Sequence, residues 1–146
     1  MYWEVVEAIA ESVTALSVVV GVFQLWQTKK ANQTQFEDDL AKEYRQITKT
    51  IPIKALLGKE LTTEESAEAQ RGLYFYIDLC NEQVFLRQNG RVCRATWIFW
   101  QDGIKTNLAR PAFKKAWEDF KLTDPKDFKE LRRLEKSDFE DDPKSW

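Results

Sequence analysis

Acids, thiols and arginines are the side chains in this sequence that could do chemistry in groups, and each group falls short of a reaction centre. Asp78 and Glu82 stand four apart, the spacing that puts two carboxylates on one helical face. Acid–base catalysis or metal binding there would need a His or a second acidic pair beside them. The 146 residues contain no His, which excludes histidine triads, His-ligated metals and histidine general bases. The pair therefore reads as solvated acids or as acceptors for Arg87. Glu37, Asp38 and Asp39 point in different directions around a helix and read as a solvated acidic face. Cys80 and Cys93 cannot complete a zinc site and read as reduced, buried thiols. None of the five Gly has the spacing of a phosphate loop or a dinucleotide fold. No catalytic residue, metal or cofactor is expected, and the chain is not read as an enzyme.

One stretch has the composition of a binding surface. Between positions 87 and 117, Arg87, Arg91, Arg94, Lys105, Arg110, Lys114 and Lys115 face a single acid, Asp102. Trp97, Phe99, Trp100 and Trp117 are interleaved with them, the combination used for single-stranded nucleic acid or anionic headgroups. The plainer account is that these aromatics recur with helical period and belong to a core. The cations are then solvated or paired with acids of neighbouring helices. Structural pairing is the expectation, a lipid headgroup or protein partner comes next, and nucleic acid is the least expected partner.

These residues depend on the element that begins the chain. Between Trp3 and Trp26 lie 22 residues, which as a helix cover roughly the 30 Å hydrocarbon thickness of a bilayer. The two indoles match interfacial positions. Lys29 and Lys30 follow one end while Glu4 and Glu7 flank the other, which places the N-terminus outside and the remainder in the cytoplasm. The reversed charge order argues against a signal peptide. The span is marginal, because its Val, Leu, Ile and Phe residues contribute roughly −3 to −7 kcal/mol in all and an acid near mid-span costs about +3.

Glu7, Glu11, Thr14, Ser17, Gly21 and Gln24 recur at steps of three and four and form one polar stripe, opposite Val6, Val13, Val20 and Phe23. Four readings fit: a helix in a globular core, a helix lying flat on a membrane, a simple anchor, or an oligomer packed around a polar axis. In the last, small residues allow close approach and the acids share a hydrated centre.

The rest of the chain reads as all-α. Phe36, Leu40, Tyr44 and Ile47 continue at helical spacing, so the first helix either runs on past residue 30 or breaks at 31–35. Pro52 ends it, and 53–57 makes a short apolar turn. Thr62 and Glu65 form a capping-box pattern, opening a helix that stops at Asn89-Gly90. Along it Leu73, Ile77, Cys80 and Val84 make a core stripe, and Asn81 reads as a buried hydrogen-bond bracket. Further helices are expected over 95–109, 111–121 and 125–136, the last two with Pro at the first position. The domains are then a transmembrane helix with flanks at 1–30, a cytoplasmic bundle of four to five helices at 31–136, and an acidic mobile tail at 137–146.

The segments Phe36-Glu37-Asp38-Asp39-Leu40-Ala41-Lys42-Glu43-Tyr44-Arg45, Asn81-Glu82-Gln83-Val84-Phe85-Leu86 and Asn107-Leu108-Ala109-Arg110-Pro111-Ala112-Phe113, with the helix ending at Lys29-Lys30, resemble an uncharacterised bacterial family of small, N-terminally anchored proteins. The resemblance covers nearly the whole chain and implies a single-pass inner-membrane protein with no known activity. In layout alone the chain is also similar to accessory membrane proteins of RNA-targeting CRISPR systems, which join one N-terminal helix to a helical domain and form ring-shaped pores. The Arg-to-His nuclease motif linked to such domains is absent, because no His exists.

Two functions follow as expectations. The first is a membrane protein that homo-oligomerises through the polar face of its N-terminal helix and can line a pore or channel. The second is a membrane-tethered adaptor that binds a protein or nucleic-acid partner through the basic aromatic region.

Overall fold

A computed structural model describes the backbone from Tyr2 to Trp146 and the side chains from Val19 onward. Six helices are present and no strand occurs among the described residues, which makes the chain all-α as expected. They are α1 (Tyr2–Thr48), α2 (Ile53–Leu56), α3 (Thr63–Gln88), α4 (Arg94–Leu108), α5 (Pro111–Thr123) and α6 (Lys129–Lys136), followed by a 3-10 turn at Pro143–Ser145. The chain divides into two compact units, Met1–Phe36 and Glu37–Trp146. No break interrupts α1 at 31–35.

In the first unit, the described side chains Val19, Val20, Val22, Phe23, Leu25 and Trp26 are all exposed. Phe23 stacks on Trp26 with centroids 6.2 Å apart, and the Lys30 ammonium lies 5.4 Å from the Trp26 ring. Among the described residues no helix is long and apolar enough to cross a membrane.

The second unit is organised around α3. Its start is the expected capping box: Glu65 N–H donates to Thr62 Oγ1 at 3.2 Å, and Thr62 N–H to Glu65 Oε2 at 2.9 Å. Its stop is Gly90, whose φ of +67° is left-handed and favours glycine. The stripe Leu73, Ile77, Cys80 and Val84 is buried, and so is Tyr76 beside it. Helices α4, α5 and α6 and the 3-10 turn all pack on α3. Trp97, Ile104, Phe113, Trp117, Leu131 and Leu134 complete the core. Tyr76 and Phe113 meet edge to face at 4.9 Å.

A close approach fixes one residue choice. A Cβ at Gly72 would stand 2.6 Å from Thr50 Oγ1 and 3.2 Å from the Thr50 carbonyl oxygen, so α3 passes the end of α1 only where a side chain is missing.

Pro125 does not begin the last helix. Residues 124–128 turn back instead, Phe128 adopts φ +57°, and α6 starts at Lys129. The Arg132 guanidinium, donating to the carbonyls of Lys121, Asp124 and Asp127, holds that loop closed. Asn81 Oδ1 accepts from Leu131 N–H at 3.0 Å, so it brackets the start of α6 from α3.

The acidic segment 137–146, expected as a mobile tail, is docked on the domain. Gln101 Nε2 donates to the carbonyls of Phe139 and Asp141 at 2.6 and 2.9 Å, Pro143 is buried, and Arg133 lies 4.3 Å over the Trp146 ring. Three of its four acids, Asp138, Glu140 and Asp142, have cationic partners in the domain, which composition by itself does not reveal.

Candidate functional site

The basic stretch does not form one surface. Arg87 is buried, 4 % exposed, and its Nε and Nη2 donate to the two Asp142 oxygens at 2.8 and 2.6 Å while Nη1 donates to the Val92 carbonyl at 2.8 Å. It is a structural cation and not a partner-binding one, and its acceptor is Asp142, not Asp78 or Glu82. This fork keeps the Asp142 carboxyl below its ordinary range, through the hydrogen bonds first and charge second. Lys105 Nζ is paired with Asp138 at 2.9 Å and with Glu140, and those contacts raise its pKa. Arg110 is half-buried at the start of α5, whereas Arg91, Arg94, Lys114 and Lys115 are exposed. The adaptor surface therefore loses Arg87 and has Lys105 neutralised by the segment 137–146.

The polar stripe falls in the first unit. Glu7, Glu11, Thr14 and Ser17 lie outside the described side chains. Gly21 is half-buried with nothing within 4 Å of a Cβ built on it, and Gln24 is exposed.

Glu37 is not part of a solvated acidic face. Its Oε1 accepts from Cys93 N–H at 2.8 Å and its Oε2 from Thr96 Oγ1 at 2.6 Å. Cys93 is the N-cap of α4, and its sulfur accepts from Thr96 N–H at 3.4 Å. A carboxylate here complements both the orphan amides and the positive end of α4. The expected thiol burial holds for Cys80, whose pKa is pushed up to about 12 by burial; Cys93 is only half-buried. No cluster of three or more metal-ligating side chains occurs among the described residues.

A cleft that the sequence did not point to lies between the second unit's part of α1, α3 and α4, with a volume of about 340 Å³. Tyr44, Phe99, Trp100 and Ile104 are among its apolar lining residues. Three buried polar side chains also line it: Gln83 (6 % exposed), Asn107 (7 %) and Tyr76 (2 %). Asn107 Nδ2 donates to the Tyr76 hydroxyl at 2.8 Å. Burial raises the Tyr76 pKa well above its ordinary value and keeps that hydroxyl neutral. The Gln83 carboxamide makes no hydrogen bond to another described residue, and its polar atoms stay open to the cleft. Arg45 and Asp102, both exposed, line the cleft as well. The signal available in the sequence was Gln83 beside the buried Val84 on a core helix, a polar residue where an apolar one would serve packing better.

Compared with protein-family models, curated proteins and solved structures, the chain matches none.

Proposed function

We propose that this chain is a single-pass membrane protein that assembles with copies of itself through the polar face of α1, with the helical unit on the cytoplasmic side. The observation that carries it is the run Val19, Val20, Val22, Phe23, Leu25 and Trp26, exposed between 47 and 73 %. Large apolar side chains so densely exposed need a cover, and soluble monomers seldom leave such a patch open. In sequence the same apolar character continues back to Val5, which gives a length suited to a bilayer. Trp26 with Lys30 against its ring has the chemistry of an interfacial anchor.

The stripe ending at Gly21 and Gln24 supports self-association over a lone anchor. Acids and hydroxyls facing lipid are costly, and a shared, hydrated centre relieves that cost. Glu7 and Glu11 would line that centre, and a pore along it is the natural extension. Carbonate extraction of membranes carrying the full chain tests the placement. Retention in the membrane pellet is expected, and complete release into the carbonate wash would overturn the reading.

A further inference from the structure

We propose that the cleft between α1, α3 and α4 binds a small, neutral, planar heterocycle whose amide-type edge pairs with the Gln83 carboxamide. The proposal does not depend on how α1 is covered. Its starting point is Gln83, a residue 6 % exposed whose carboxamide lines the cleft and opens onto it with no hydrogen bond to another described residue. The polar atoms of that amide are not sealed off, so they face the open cleft and can pair with whatever occupies it. Asn107 is the second polar group. Its Nδ2 is committed to Tyr76, which leaves its carbonyl oxygen as a further acceptor on the floor.

The shape and chemistry of the remaining wall narrow the class. The Gln83 carboxamide offers a donor and an acceptor side by side, the complement of a ring edge carrying N–H next to C=O, or an amino group next to a ring nitrogen, and Asn107 adds an acceptor. Tyr44, Phe99 and Trp100 supply π faces, and Phe99, 78 % exposed on α4, is a large aromatic that the fold itself does not bury. Stacking and edge pairing together are how proteins hold an isolated heterocycle such as a nucleobase or nicotinamide. The buried floor is neutral, and the charged lining residues Arg45 and Asp102 have opposite signs, so no net charge on the ligand is called for. The volume of about 340 Å³ lies at the small end of ligand sites, matched to one or two rings. Asp102 also opposes a strand of phosphates, which favours a free small molecule over RNA.

The test is titration of the full chain, solubilised in detergent, with uracil, adenine, nicotinamide and, as an apolar control of similar size, toluene. The expected result is a Kd of about 0.1–1 mM for at least one heterocycle, the range of fragment-sized ligands. Gln83→Leu should weaken it about tenfold or more while leaving toluene unaffected. Phe99→Ala, an exposed position whose loss leaves the fold intact, should weaken the same heterocycle several-fold. No binding by any heterocycle, equal binding by Gln83→Leu, or unchanged binding by Phe99→Ala would overturn the proposal. So would binding of oligouridylate in the absence of binding by the free bases, because the site would then belong to a nucleic-acid strand.

Discussion

Arg87, on the central helix, and Asp142, near the end of the chain, form a two-point ion pair, with Nε to Oδ1 at 2.8 Å and Nη2 to Oδ2 at 2.6 Å. The guanidinium side is 5 % exposed and the carboxylate side 38 %, so the pair sits at the margin of the core, shielded on one side only. Its consequence is that the last ten residues are part of the fold.

Removing the acid leaves a buried cation unpaired, which is the costly half of breaking such a pair. Asp142→Ala should lower stability by about 2–3 kcal/mol, a value discounted for the partial exposure of the carboxylate. Urea unfolding of the full chain measures it. The pH dependence has a definite sign. Because the folded carboxyl titrates below its ordinary value of 3.8, its contribution is present above that pH and is lost as pH falls through the lowered folded value. Asp142→Asn should therefore be less stable than the parent at neutral pH, and the gap should narrow in strong acid.

Glu37 caps α4 across a separation of more than fifty residues, through the Cys93 amide and the Thr96 hydroxyl. Glu37→Ala should cost about 1–2 kcal/mol, the range of a lost cap with charge-assisted hydrogen bonds. Asp38→Ala, at the exposed neighbouring position, should stay within about 0.5 kcal/mol. Paired thermal melts compare the two.

The contrast between Glu37 and Thr62 explains what the sequence could and could not disclose. The Thr62–Glu65 box is local, with both partners within one turn, so its pattern is visible in four residues. Glu37 and Cys93 are brought together only by packing, and a run of three acids looks solvated until the fold supplies an N-terminus beside one of them. The docking of segment 137–146 is hidden for the same reason: Asp138, Glu140 and Asp142 are matched by Lys105 and Arg87, whose positions depend on α3 and α4 being in place. Pro125 carried the usual mark of a helix start, but the carbonyls held by Arg132 turned that segment into a loop. The core stripe of α3 was legible because period and burial coincide there, whereas Asn81 makes the expected bracket from a half-buried position and the short α2 stood where a turn was expected.

Two glycines should respond in opposite directions to the same change. Gly72→Ala forces a Cβ against both the Thr50 hydroxyl and its carbonyl, and should cost about 1–3 kcal/mol. Thr50→Ala should not restore it fully, because the carbonyl remains at 3.2 Å. Gly103, inside α4 with nothing within 4 Å, should gain about 0.5–1 kcal/mol on substitution by Ala. Melting temperatures of the three variants decide this.

The two thiols should differ in reactivity. Cys80 is fully buried with its pKa pushed up to about 12, so it should resist iodoacetamide at pH 8 in the folded protein, while the half-buried Cys93 is alkylated. Mass spectrometry should show one modification when folded and two after denaturation. Rapid labelling of Cys80 in the folded chain would contradict its burial.

Self-association through α1 is most directly tested by the mass of the detergent-solubilised chain from light scattering, measured beside Gly21→Leu. Gly21 has nothing within 4 Å of a built Cβ, so the single chain tolerates a side chain there, whereas a close helix–helix contact would not. The account predicts a multiple of the 17.2 kDa chain mass for the parent and a smaller species for the variant. A mass of one chain at every protein concentration, unchanged by the substitution, would contradict it.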